Sequence, residues 1–395
     1  MTGTTTPPPL PPEGAATPTA PPPLPAPPAV PTAAPAAAQP GRDEATAPVD
    51  RGRCPACGGS LAYDATAASL RCGSCRATVD VANDPDARVD EHDYEAWLAR
   101  NPRHTVASVP AQSLACDGCG ATTETTDIAS ACRFCGGNLV ATTLPEGLVV
   151  PEAVLPFGVD ARTARENVTT WVRSRWFAPS ALKKVGDTES IRGTYVPHWT
   201  FDARTTSKYV GERGEHYTEK QGDTEVRRTR WHHASGTVRR DFDDLLVPAT
   251  RALPRNRLDK LGPWKVTAAQ PYHHQYLVGH RAARYDVNPQ DGYVQAKEHM
   301  DIRIRHDVIR AIGGDEQRVH SIRTTYADVM FKLVLLPVWL ATFMYAGKEW
   351  QVMVNANTGQ VVGERPWSVP KILAAVVVGI VLVVAAVWFF GRDQQ

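Results

Sequence analysis

The sequence predicts small, β-rich zinc ribbons followed by an α+β domain and a single C-terminal transmembrane helix. Three observations carry that expectation. All eight cysteines fall into Cys-x-x-Cys pairs between 54 and 135, residues from about 148 to 367 mix helical periods with strand-like alternation, and an uncharged apolar run closes the chain. The totals frame them: 395 residues are enough for two or three domains. Forty-three basic against 42 acidic side chains leave a net charge of +1, so nothing global demands nucleic acid or acidic lipid as a partner.

Residues 1–50 hold 16 of the 33 prolines and read as a disordered Pro/Ala-rich tail. Runs such as Pro21-Pro22-Pro23 favour polyproline II, which has no internal hydrogen bonds and buries no core. A PxxP stretch such as Pro9 to Pro12 is expected by chance in such a composition, and no N-terminal signal peptide is visible.

The first metal module, zinc ribbon 1, is expected at 51–82. Cys54-Pro-Ala-Cys57 is followed after fourteen residues by Cys72-Gly-Ser-Cys75. The second, at 105–143, has Cys116-Asp-Gly-Cys119 followed after twelve residues by Cys132-Arg-Phe-Cys135. Two-residue spacing lets one tight turn aim two thiolates at one ion, and two such turns close a tetrahedral site with no open position. The expectation is two structural Zn2+ ions held by Cys54, Cys57, Cys72, Cys75, Cys116, Cys119, Cys132 and Cys135. Disulfides, or iron in a rubredoxin-like site, are the alternatives. Glycine after three of the four pairs, and no cysteine elsewhere, favour metal and a reducing compartment. Leu61, Tyr63, Leu70 and Val79 are available to cover the first site, and Leu114, Ile128, Phe134 and Leu139 the second. Between the ribbons, 83–104 reads as a helical connector, with Tyr94, Trp97 and Leu98 near one face and Asn101-Pro102 as the stop.

The α+β domain is expected at 148–367. Asp160 is a candidate N-cap for a helix through Ala164, Val168, Trp171 and Val172. Strand-like stretches follow at 191–203, 206–217 and 225–239, then a second helix at 290–312 ended by Gly313-Gly314. Val329–Tyr345 reads as buried strand rather than a second span, and Asn357-Thr358-Gly359 as a hairpin turn. Tyr195-Val196-Pro197-His198-Trp199 echoes Leu335-Leu336-Pro337-Val338-Trp339. Two copies of a helix-plus-strands unit account for the echo, and so does coincidence.

Residues 372–390, nineteen without a charge, reach about 28 Å as a helix, the thickness of a bilayer core. A transmembrane helix at 371–390 with a short tail at 391–395 is therefore expected. The chain would contact lipid through 372–390 and keep its N-terminal bulk in the cytoplasm, where thiols stay reduced.

Catalytic motifs are missing. Four-thiolate sites leave no position for substrate, and no His-Glu-x-x-His, Gly-x-Ser-x-Gly or phosphate-binding glycine loop occurs. The pairs His232-His233 and His273-His274 read as surface or satisfied histidines. Ribbon 1 carries a net +2 and ribbon 2 a net −2, and the basic stretch Arg227 to Trp231 is soon followed by Asp241, Asp243 and Asp244, which argues against nucleic acid as a partner.

Cys-Pro-Ala-Cys-Gly-Gly at 54–59 and Cys-Arg-Phe-Cys-Gly-Gly at 132–137 look like the knuckles of transcription-factor-IIB-type zinc ribbons. Together with Val-Pro-His-Trp at 196–199, Leu-Leu-Pro-Val-Trp at 335–339 and the stretch 354–364, the chain resembles bacterial membrane-anchored double zinc-ribbon proteins, some of them labelled primosomal helicase-like. The resemblance covers about residues 51–390. It implies a cytoplasm-facing scaffold that docks protein partners at the cell membrane, in assemblies of the phage-shock and flotillin-like kind. No ATPase follows from the helicase label, because no phosphate loop is present. Arg76 departs from the pattern, since relatives often have glycine after the last cysteine of the first ribbon. The sequence thus favours a non-enzymatic, tail-anchored adaptor, with a membrane-tethered nucleic-acid-binding regulator as the alternative.

Overall fold

The computed structural model describes residues 49–50, 52–81, 88–102, 106, 109–116, 118–175, 190–222, 224–345, 348–364 and 368–392. All of these belong to one compact unit, Ala45–Gln395. The expected tail at 1–50 lies outside the described residues apart from 49–50, as do 393–395.

Short strands build the cysteine-rich half. β1 (Val49–Asp50) precedes a three-stranded sheet of β2 (Leu61–Asp64), β3 (Ser69–Cys72) and β4 (Thr78–Val79). Next come β5 (His92–Asp93) and helix α1 (Tyr94–Arg100), capped by the Asp93 carboxylate, which accepts from the Ala96 amide at 2.7 Å. β6 (Gln112–Ala115) pairs with β7 (Thr122–Thr125), and β8 (Ala129–Ala131) with β9 (Asn138–Ala141).

The rest corrects the expected α+β domain. It is a large mixed β-sheet with few helices, because two of its strands are far longer than the sequence pattern suggested. The elements are β10 (Ala153–Val154), α2 (Ala161–Arg173), β11 (Ser190–Gln221), β12 (Thr224–Pro248), α3 (Arg255–Leu258), β13 (Gln270–Pro271), β14 (Arg281–Ala282), α4 (Pro289–Ile312), β15 (Glu316–Tyr345), β16 (Lys348–Asn355) and β17 (Val361–Gly363). β11 pairs antiparallel with both β12 and β15. The break expected near 204 is a β-bulge. The register shifts at Phe201/Ala203 and Asp202/Arg204, where Asp244 and Asp328 take φ of +49° and +50°. A bulge inserts polar residues into a strand without ending it, so the alternation breaks while the ladder continues.

The helices form where their apolar spacing predicts. Asp160 caps α2, accepting from the Thr163 amide at 2.8 Å, and Ala164, Val168 and Val172 are buried at intervals of four. In α4 the buried stripe is Gly292, Ala296, Met300, Ile304, Val308 and Ile312, and Gly313 at φ +66° ends the helix. Each larger side chain in the stripe stabilises by roughly 1.5–3 kcal/mol. Leu333, Val334, Leu335 and Leu336 are all 0% exposed, which places β15 under cover on both faces and explains its unbroken apolar run.

The sequence echo is a structural repeat. β10–α2–β11–β12 and β14–α4–β15–β16 share one connectivity. Val154 lies beside Leu335 and Ala282 beside Tyr195, both in parallel. The two echo segments pair with each other, Tyr195 opposite Pro337 and Pro197 opposite Leu335, so a local two-fold passes through the Val196–Leu336 pair. Trp199 donates from Nε1 to the Val287 carbonyl at 2.9 Å, and Trp339 to the Val159 carbonyl at 2.7 Å. Each acceptor immediately precedes the N-cap of the other unit's helix. Phe157 packs on Trp339 with centroids 4.9 Å apart, and Tyr285 on Trp199 at 5.0 Å. The Ala249 amide bonds the Pro197 carbonyl and the Ala356 amide the Pro337 carbonyl, both at 3.0 Å. Gly292 permits this packing, since a Cβ there would fall 2.7 Å from the Trp199 ring.

The expected C-terminal membrane span is also corrected. Helix α5 (Val369–Arg392) closes the chain, with exposed side chains from Leu373 to Ala385. Among the described residues, no helix is long and apolar enough to cross a membrane.

Candidate metal centres

Four knuckles carry the eight cysteines, and they share one backbone pattern. The amides of Cys54, Cys72, Cys116 and Cys132 donate to the carbonyls of Gly59, Ala77, Ala121 and Gly137. The amides of Gly58, Arg76, Gly120 and Gly136 return to the carbonyls of Cys54, Cys72, Cys116 and Cys132. The residues in that returning position have φ between +63° and +74°. Glycine takes this left-handed conformation freely, so its recurrence after three pairs was the legible signal. Arg76, at φ +63°, adopts the same conformation with a side chain.

These turns bring the sulfurs together in two sets. Cys54 and Cys75 Sγ lie 3.5 Å apart, as do Cys57 and Cys72. In the second set Cys116 and Cys135 are 3.5 Å apart, and Cys119 and Cys132 3.7 Å. Within each set, all four ligand atoms lie within 4.8 Å of one another. A tetrahedron of thiolates at about 2.3 Å from a zinc ion has edges of ~3.8 Å, so the sets fit such an ion. A disulfide requires about 2.05 Å, and all eight cysteines are free.

The electrostatics also call for a cation. The Cys75 and Ser74 amides hold the Cys72 thiol down to about 6, and the Cys135 and Phe134 amides do the same for Cys132. Against the lowering pull of the Ala77 and Ala121 amides, neighbouring thiols push Cys75 up to about 12, and burial together with neighbouring thiols does the same for Cys119. Four crowded sulfurs cannot all ionise unless positive charge sits among them. The two clusters are therefore positioned to bind metal ions.

Both clusters are anchored to the sheet. The Tyr63 amide bonds the Val278 carbonyl, and the Ile128 amide the Ala282 carbonyl. Asn138 ties the ribbons together through Nδ2 to the Leu61 carbonyl at 2.9 Å. Arg281 holds Asp127 at 2.7 Å, and β8 pairs with β14. Cys54, Leu61, Tyr63, Leu70 and Cys72 share one apolar core with Tyr195, Leu335 and Trp339.

One expected core residue is misplaced. Leu114, Ile128 and Leu139 are buried as expected, whereas Phe134 at the tip of the last knuckle is 75% exposed. Between two ligands of one site, its side chain has no route inward.

The histidine pairs join no metal-ligating group among the described residues. His232 faces Glu215 at 3.6 Å, and the His273 and His274 rings lie against each other with centroids 4.3 Å apart. The stretch Arg227 to Trp231 lies on β12, where Arg228 pairs with Glu219 and Arg230 stacks on Tyr217. A third group, Glu91, Asp202 and Asp244, went unnoticed in the sequence because its members are far apart in the chain. Lys332 fills it, with Nζ 2.5 Å from Glu91 and 2.6 Å from Asp244, so its positive charge is internal.

No family model matches the chain, and no solved structure matches it. It is similar to the uncharacterized protein YdjG of Bacillus subtilis (strain 168), 26% identical over 329 residues, covering 82% of this chain and 92% of that one.

Proposed function

We propose that this chain is a non-enzymatic docking scaffold in which two structural Zn2+ ions, each caged by four thiolates, hold protein-binding knuckles rigid. The exposed Phe134 carries the reading. Leaving a phenylalanine in water forgoes roughly 1.5–3 kcal/mol of burial. A cage that fixes such a ring at the surface makes a ready anchor for a partner's pocket, since aromatic anchors dominate interface energetics. The cages require thiolates, hence a reducing compartment. Four ligands per ion leave no position for a substrate, which supports a structural role over a hydrolytic one. The kinship with bacterial double zinc-ribbon proteins is part of the same proposal, supported by the two four-cysteine clusters.

Two measurements test it. Elemental analysis of the purified chain is expected to find two zinc ions per molecule, and a visible absorption spectrum would reveal iron instead. Quantitative affinity capture is expected to recover a specific set of proteins that is lost from both Phe134→Ala and the double variant Cys132→Ser, Cys135→Ser. Phe134→Ala should retain its metal, so an unchanged set of partners in both variants would overturn the docking role.

A further inference from the structure

A cleft of about 1740 Å³ opens between the two ribbons, α2 and β11. Its walls hold seven arginines and three aspartates, a net +4 in a chain whose total is +1. Arg71 is neutralised by Asp64, Arg281 by Asp127, and Arg162 by Glu166. Four others converge from separate elements: Arg76 and Arg133 from the two ribbons, Arg165 from α2 and Arg192 from β11. None of these four has an ion-pair partner among the described residues. Solvated arginines are ordinary on a protein surface, so the charge alone decides nothing.

Two independent observations point to a ligand. Buried polar atoms short of hydrogen-bond partners collect in this cleft: Thr123 Oγ1 and Ser130 Oγ have none, and the His280 ring has only the Tyr63 backbone. Thr123 is 7% exposed, and the His280 ring is wedged between Phe157, stacked at 4.0 Å, and Gly193. Such orphaned groups are costly unless something hydrogen-bonds them. In addition, Arg76 occupies the one knuckle position where the three counterparts use glycine. A side chain in that conformation costs about 1–2 kcal/mol, and strain of this kind gathers at functional sites.

We propose that this cleft binds an acidic peptide segment of a partner protein. The inference rests on the docking role above and names the partner's chemistry. Spaced arginines suit carboxylates along an extended chain, and the orphaned hydroxyls suit its amides. Half-buried Ile191 and Leu340 give the lining an apolar component for intervening side chains. A phosphate backbone fits less well, because Asp64, Asp127 and Asp160 interrupt the positive surface.

The test uses the full, zinc-loaded chain and three fluorescent probes: a peptide alternating glutamate with leucine, its glutamine counterpart, and a single-stranded oligonucleotide. Anisotropy is expected to show saturable binding of the glutamate peptide that weakens with salt, and much weaker binding of the other two. The charge reversals Arg165→Glu plus Arg192→Glu should weaken the glutamate peptide at least about tenfold, while Arg305→Glu on α4, which does not line the cleft, should not. Both reversed residues are exposed, and zinc content checks that the fold survives. Equal loss in the Arg305 control, no effect of the double reversal, or tighter binding of the oligonucleotide would each overturn the proposal. If the glutamate peptide fails to bind while partner capture still depends on Phe134, the cleft assignment falls and the docking role stands.

Discussion

Gly136 sits at φ +73° with nothing within 4 Å of a Cβ built on it. A substitution there is resisted by the backbone alone, so Gly136→Ala is expected to destabilise the second ribbon by about 1–2 kcal/mol, read as easier zinc release to a chelator. Arg76→Gly is the converse. It relieves the strain, offset in part by the greater freedom glycine gains on unfolding, so stability should hold or rise. If Arg76 serves the cleft, affinity for the acidic peptide should fall in the same variant. His198 offers a prediction in pH. Burial pushes it down to about 4, opposed by the Val196 carbonyl, to which Nδ1 bonds at 3.0 Å. The unfolded state therefore binds the extra proton below about 6.5 while the folded state does not. Stability from this group is present above that pH and is lost as pH falls toward 4. Between pH 7 and 5 the loss is about 2 kcal/mol. Asp202, raised to about 6 by burial, acts in the opposite sense. Urea unfolding of wild type against His198→Gln isolates the histidine, since only its share of the pH slope should disappear.

The two repeat units are fastened by reciprocal bonds from Trp199 and Trp339 to the carbonyl that precedes the partner helix. Each bond orients a helix start and fills the space beneath it, so the units cannot separate without exposing both indoles. Trp199→Phe and Trp339→Phe leave an unpaired carbonyl and a small void, and each is expected to cost about 1–3 kcal/mol in denaturant unfolding. Because the sites are related by the local two-fold, the two losses should be similar. A strongly unequal pair would show that the units do not share the load. The long strands β11 and β15 are likewise products of pairing. Beyond the bulge, Ser207 and Thr324 still bond across the ladder at 2.8 Å, where neither segment carries an apolar run of its own.

The first cysteine cluster and the sheet share one apolar core, which runs from Cys54 and Cys72 to Trp339. Removing the ions with a chelator is therefore expected to lower the thermal midpoint of the whole chain rather than melt a detached module. Structural zinc contributes on the order of 10 kcal/mol to folding, and near-ultraviolet circular dichroism of the tryptophans would report the change. By itself, the sequence determined what depends on near neighbours: the eight candidate ligands in two groups, the α2 and α4 periods with the Asp160 cap and Gly313 stop, and the turn at Asn357-Thr358-Gly359. Spacing along the chain sets those features directly. Only the tertiary structure decided the rest. It set the Tyr195–Trp199 echo against Leu335–Trp339, ran the strands through a break that is a bulge, left Phe134 in water, gathered arginines from four elements into one cleft, and gave no membrane-spanning helix among the described residues. Pairing partners and exposure depend on residues more than a hundred positions away, and no local pattern encodes them.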